Sequence, residues 1–243
     1  MSNEKRLKSE KEFHNETFAK NTRSAAKKYY KSASESKGKY HSLIERDIKG
    51  KKVLEYGCGP GSSSFSLAKM GAKVTAIDIS DVAIDQAREQ AEEEGLDIEF
   101  YVMDAENLDF ESNSFDVICG SGILHHLELG AAYKEISRTL KKDGRAIFFE
   151  PLGHNPIINL YRKLTPKMRT DDERSLLMKD IEMTQEYFES VNKYHFNLTS
   201  IISSFASFMN GPLSKLDEML FNLLPGLKKY SWIVVLEFLG PKQ

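Results

Sequence analysis

Between Lys51 and Pro151 five short, continuous apolar runs alternate with helix-patterned stretches that close on Gly71, Gly95 and Gly144. The runs are KKVLEYG, KVTAIDIS, IEFYVMD, FDVICGSG and RAIFFEP. Strands joined through helices need crossover connections, so they lie parallel and are buried on both faces. Continuous rather than alternating apolar residues are what such burial requires. The pattern predicts an α/β sheet covered on two sides. After Pro151 the rhythm breaks into a substrate-side insertion at about 151–180, helical or irregular. It is followed by strand-like YHFNLTSI, a helix around LSKLDEMLFNLL and a last strand SWIVVLEFLG. Ahead of the sheet, Phe13 to Ile48 reads as helical and residues 1–12 as a frayed polar end. The expected division is a basic helical arm or lid, 1–48, and one domain, 49–243.

The first strand runs directly into VLEYGCGPGSSS, which sets Gly57, Gly59 and Gly61 before a helix. Glycines there let a ligand approach the backbone, and the helix start offers N–H groups to a carboxylate or phosphate. The spacing is G-x-G-x-G, not the G-x-G-x-x-G of dinucleotide sites, and no phosphate-loop G-x-x-x-x-G-K-[ST] is present. The second strand ends in Asp78, where a carboxylate can take both hydroxyls of a ribose. The third ends at Asp104, placed to accept from an adenine amino group. Three such strand ends describe a site for an adenosine-bearing small molecule. Cys58 reads as a packing residue, since nothing near it in sequence would lower its pKa.

The motifs VLEYGCGPG, TAIDIS, FYVMDAENLDF, FDVICGSGILHHL and LKKDGRAIFFEP, in this order over about residues 50–151, resemble class I S-adenosylmethionine-dependent methyltransferases. The resemblance is to their small-molecule branch, methyltransferase type 11, related to ubiquinone-biosynthesis enzymes. It implies a Rossmann-like doubly wound sheet of seven strands, mostly parallel with an antiparallel last strand, under an N-terminal helical cover. It also implies S-adenosyl-L-methionine as cofactor. Glu55, Gly57, Gly59 and Gly61 would hold its methionine part and Asp78 its ribose. Ile79 would pack on adenine, Asp104 and Ala105 would hold its edge, and Gly120 or Ser121 would offer a carbonyl to its amino group.

Methyl transfer to an oxygen or ammonium also needs a base tuned near neutrality. GILHHL sets His125 and His126 where the fourth strand leaves the sheet, and the resemblance puts the weight on His126. In the insertion, Glu150, His154, Asn155, Tyr161 and Arg162 are the candidates for the acceptor pocket. From the arm, Tyr29 and Tyr30 are placed to close over the cofactor, with Phe13 and Phe18 lining the acceptor site. No further His, Asp or Glu set shows recognisable ligand spacing, so no metal is expected.

Charge is uneven along the chain. Residues 1–52 hold 15 Lys+Arg against 7 Asp+Glu, leaving 19 against 29 of the total 34 and 36 for the remainder. The cations are interleaved with acids rather than blocked, so nucleic acid is disfavoured as a partner. N-P-P-[YFW] and P-C pairs, the marks of two RNA-modifying chemistries, are also missing. Two cysteines rule out a disulfide scaffold, no apolar leader opens the chain, and no apolar run reaches ~20 residues. A cytoplasmic location follows. ISSFASFM and MLFNLLPGL are apolar enough to shape a hydrophobic acceptor pocket, a dimer contact or a lipid-facing groove for peripheral membrane contact, and the pattern does not choose between monomer and homodimer. The expected activity is methyl transfer to a small-molecule acceptor, at oxygen. The rival readings are an RNA methyltransferase using the basic arm and a catalytically silent S-adenosylmethionine-binding protein.

Overall fold

The computed structural model describes residues 3–20, 33–61, 63–165, 174–204 and 207–242. Its centre is a sheet of β1 (Lys52–Tyr56), β2 (Lys73–Asp78), β3 (Ile98–Val102), β4 (Phe115–Ser121), β5 (Leu140–Pro151), β6 (Phe188–Phe196) and β7 (Ile233–Pro241). The strand order is β3-β2-β1-β4-β5-β7-β6. The first five strands pair in parallel, while β7 runs antiparallel to both β5 and β6. The expected seven-stranded, mostly parallel sheet is therefore present. Order reverses between β1 and β4, the point where open α/β sheets leave a crevice at the carboxyl ends of their strands.

Alternation along each strand divides the core. On one face Leu54 and Tyr56 of β1 pack in a cluster with Leu129, Tyr133 and Ile136 of α5 (Leu129–Thr139). On the other, Val53 joins Tyr40, Leu43 and Ile44 of α2 (Ser34–Ile44) and Leu67 of α3 (Ser64–Lys69). Ile84, Ala87 and Ala91 of α4 (Asp81–Glu93) cover Ala76 and Phe100. Ser80 caps α4, its hydroxyl accepting from Ala83 N–H at 3.1 Å.

Several boundaries differ from the expected ones; β6, for example, is Phe188–Phe196 and shares only Tyr194–Phe196 with YHFNLTSI. The helix after β4 ends at Thr139 rather than Gly144, because buried Leu140 pairs with Phe115 and starts β5. Tertiary burial of Leu140 overrides the glycine stop signal. At the other end, residues 3–12 are not frayed. They form most of α1 (Asn3–Ala19), held by contacts to distant parts of the chain. Arg6 pairs with Glu106 at 2.6 Å, Asn15 donates to Asp81 at 2.7 Å, and Lys11 pairs with Asp81 at 3.0 Å.

His195 in β6 gives the fold a pH-sensitive point. Ser231 Oγ donates to Lys228 O at 2.8 Å and lies 3.0 Å from His195 Nδ1, so the ring supplies the proton of that contact. Burial first, then Lys228 and Lys193, lower the His195 pKa to about 4. An unfolded histidine titrates near 6.5. The folded value is the lower one, so the contribution is complete above about pH 6.5 and is lost as pH falls towards 4. The loss amounts to at most about 3 kcal/mol. Urea midpoints measured from about pH 7 to 4 should show it. His195→Gln should flatten that slope, and an unchanged slope would assign it elsewhere.

Candidate active site

A cavity of about 580 Å³ opens at the carboxyl ends of β1 to β4. Gly57, Cys58, Gly59 and Pro60 form its floor, and Asp78, Ile79, Met103, Asp104 and Ala105 one side. Ser121, His125 and His126 stand opposite, and α1 supplies the remaining wall through Arg6, Glu10, Phe13, His14 and Phe18.

The loop after β1 keeps its shape for local reasons. Gly57 has φ of 65°, and a Cβ there would lie 2.7 Å from the Ile123 side chain. Only glycine satisfies both. Gly59 has φ of 52° and faces the Phe18 ring, which a Cβ would approach to 3.3 Å. Asp78 ties this loop to β2: its Oδ2 accepts from Gly59 N–H at 2.8 Å, and its Oδ1 from Ser80 N–H at 2.9 Å. A carboxylate has about four lone-pair sites, so two backbone donors leave capacity for a diol. Asp104 Oδ1 accepts from Glu106 N–H at 2.9 Å, again leaving acceptor capacity at the cavity.

Glu55 is placed differently from the expectation. It is buried outside the cavity lining, and its oxygens accept from Ser63 N–H and Ser64 N–H, both at 2.8 Å, and from the Ser64 hydroxyl. It holds the start of α3 in place and acts on the glycine loop from behind. Glu55→Ala would leave two buried N–H groups without that acceptor, and should cost about 3 kcal/mol in a urea melt. A loss below about 1 kcal/mol would show that the loop does not depend on it. Gly61 and Gly120 also lie outside the lining. A Cβ on Gly120 would sit 2.8 Å from Ile123 and 2.9 Å from Phe148, so this glycine serves packing. Burial pushes the Cys58 thiol far up, in keeping with an inert packing residue.

At the end of β5, buried Glu150 lies behind the cavity wall. Its Oε1 accepts from Ile123 N–H and Leu124 N–H, both at 2.9 Å, and its Oε2 lies 2.7 Å from His125 Nδ1. The carboxylate thereby shapes the turn Leu124–His126 and faces His125. A carboxylate accepts, so a neutral ring that donates Nδ1–H to it carries its lone pair on Nε2.

His154, Asn155 and Arg162 of the insertion also lie outside the cavity lining. His154 Nε2 accepts from Met178 N–H at 3.2 Å. Asn155 caps α6 (Pro156–Leu164), its Oδ1 accepting from Ile157 N–H at 3.0 Å and Ile158 N–H at 3.2 Å, while its amide donates to Tyr230 O. Arg162 is half-buried in the last turn of α6. The Tyr161 side chain and all of Tyr29 and Tyr30 lie outside the described residues. Phe13 and Phe18 do line the cavity.

His126 lines the cavity beside His125, their ring centroids 4.3 Å apart. Its carbonyl accepts from Arg6 at 3.1 Å, and its Nδ1 lies 3.4 Å from Glu10 Oε2. His14 Nε2 lies 3.3 Å from the same oxygen. These three residues form a group with metal-ligand character that the sequence reading did not anticipate. The i,i+4 pair Glu10 and His14 was its one visible sign.

Residues 53–144 match the family described as a methyltransferase domain. Over these residues the chain is similar to methyltransferase domains. It is 33% identical over 144 residues to the ubiquinone biosynthesis O-methyltransferase of Nitrosococcus oceani, covering 56% of this chain and 61% of that one. The corresponding protein of Coxiella burnetii is 38% identical over 120 residues, covering 49% and 51%. The match thus spans about half to three fifths of the length of these relatives. Among solved structures, the magnesium protoporphyrin IX methyltransferase of Synechocystis PCC 6803 superposes with a TM-score of 0.65. That likeness is at 16% identity and covers 96% of this chain and 98% of the other, so it reports the domain's fold over nearly the whole chain.

Proposed function

We propose that this domain transfers the methyl group of S-adenosylmethionine to a small-molecule acceptor, at oxygen. The observation that carries the reading is the cavity joining the Gly57–Gly59 loop, Asp78 and Asp104 to the His125–Glu150 pair. Its size, about 580 Å³, suits a ligand of nucleoside class plus a small acceptor. When bound, S-adenosylmethionine supplies an activated sulfonium methyl. Asp78 binds the ribose hydroxyls, Ile79 and Met103 pack on the base, and Asp104, Ala105 and Ser121 offer its edge polar partners. The domain's kinship with relatives named O-methyltransferases supports oxygen as the accepting atom.

The protein's own chemistry is then proton removal and positioning. His125, oriented through Nδ1 by Glu150, is the proton acceptor on this reading. His126 stands beside it as the acceptor-facing neighbour, a reversal of the weight that the resemblance suggests. α1 serves as a lid: it closes the cavity with Phe13 and Phe18 while Arg6 pins it to Glu106. Arg6 and Lys11 of the basic arm are engaged in ion pairs with this chain, which favours a lid over a nucleic-acid arm. No helix among the described residues is long and apolar enough to cross a membrane, and both cysteines are free, in keeping with a cytoplasmic enzyme.

The test is incubation with small-molecule extracts and isotopically labelled methyl donor, followed by mass spectrometry. One product bearing the label on oxygen is expected. Tight binding of the donor's demethylated product with no labelled product from any extract would favour a silent binding protein.

A further inference from the structure

We propose that Glu10, His14 and His126 form a binding site for one divalent transition ion of the zinc class, at the seam between α1 and the cavity. Glu10 and His14 lie one turn apart on α1 and so share a face. His126 comes from the far side of the cavity, 112 residues on from His14. The ligand atoms of all three lie within 4.8 Å of one another.

The distances are compatible with an ion held between the three side chains. A tetrahedral ion with bonds of ~2.0–2.1 Å holds its ligands about 3.3–3.4 Å apart. Glu10 Oε2 lies 3.3 Å from His14 Nε2 and 3.4 Å from His126 Nδ1. A direct charge-assisted contact is shorter, about 2.7–2.9 Å. The neighbouring His125–Glu150 pair adopts that shorter spacing, at 2.7 Å.

Contacts outside this cluster also hold α1 in place. Arg6–Glu106 holds the helix on one side, and Asn15 with Ser80 and Asp81 holds it on the other. The three ligands are therefore placed in part by contacts outside the site, which is the preorganisation an ion requires. Two imidazoles and one carboxylate suit zinc-class ions, whereas magnesium and calcium take oxygen-only sets. The side chains of Glu10, His14 and His126 are 8%, 12% and 8% exposed, and all line the cavity. Three protein ligands leave a fourth position for a water or a donor atom of the acceptor. Ion binding stands apart from the methyl-transfer reading, because it is measured without donor, acceptor or turnover.

The experiment uses the untagged full chain. Zn²⁺ is titrated in competition with a chromogenic chelator, and Co²⁺ is titrated while its visible ligand-field bands are followed. One ion per chain is expected, with the intense Co²⁺ bands of four-coordination. Glu10→Gln, His14→Gln and His126→Gln should each weaken Zn²⁺ binding about 100-fold, no less than outer-shell changes do at other sites. His41 and Glu45 form another i,i+4 pair, at 3.3 Å, so His41→Gln is the control and should change nothing. Saturating Zn²⁺ should raise the melting temperature of the parent and not of His14→Gln. If His126→Gln does not fold, the two α1 variants decide alone. No saturable binding, or stoichiometric binding retained in Glu10→Gln and His14→Gln, overturns the site and leaves a His–Glu–His contact that only docks the lid.

Discussion

Replacing His125 by alanine is expected to cut turnover about 10²–10⁴-fold while leaving S-adenosylmethionine affinity nearly unchanged. The separation follows from location. The proposed donor contacts come from the loop after β1 and from the ends of β2 and β3, whereas His125 sits on the turn that follows β4. Glu150→Gln tests the same assignment without removing the imidazole. Its carbonyl would keep accepting from Ile123 N–H and Leu124 N–H, which leaves the amide NH₂ facing His125 Nδ1. A donor there forces the ring into the other tautomer and puts the proton on Nε2. Turnover should fall by about 10²-fold or more with the melting temperature little changed. Steady-state kinetics at saturating acceptor is the measurement. Full activity in His125→Ala, with the loss appearing in His126→Ala, would return the base to His126.

Legibility in the sequence followed sequence distance. The loop Gly57–Gly61 and the ends of β2 and β3 are local features, so their order along the chain announced both the sheet and a crevice at its carboxyl edge. The partner of His125 is not local: Glu150 lies 25 residues away on another strand. As the last acid of a continuous strand it read as a pocket residue, yet it is wholly buried. Glu55 is similar, since a carboxylate beside a glycine loop looks the same whether it faces ligand or backbone; here it accepts from Ser63 and Ser64 N–H. His154 and Asn155 stood beside a proline, where polar residues serve equally as caps; Asn155 proved to be the cap of α6. Residues 3–12 carried no core signal because their attachments are ionic and distant. Arg6 and Glu106, 100 residues apart, give no periodicity to detect.

Asp78→Ala should weaken binding of S-adenosylmethionine and its demethylated product by about 1.5–3 kcal/mol, the loss of charge-assisted bonds to two hydroxyls. That corresponds to roughly 10–150-fold in the dissociation constant. The side chain has a second duty, since Gly59 N–H and Ser80 N–H donate to it at 2.8 and 2.9 Å. Calorimetric titration alone would therefore mix a lost ligand contact with a loosened loop. Adenosine separates them, because it presents the ribose without the methionine part. If Asp78 binds the ribose directly, adenosine affinity should fall by a factor close to that for the whole cofactor, with the melting temperature within a few degrees of the parent. If it acts only through the loop, methionine-bearing ligands should lose more than adenosine and the melting temperature should drop with them. Unchanged affinity for all three ligands would remove the end of β2 from the site, and with it the adenosine-binding assignment of the cavity.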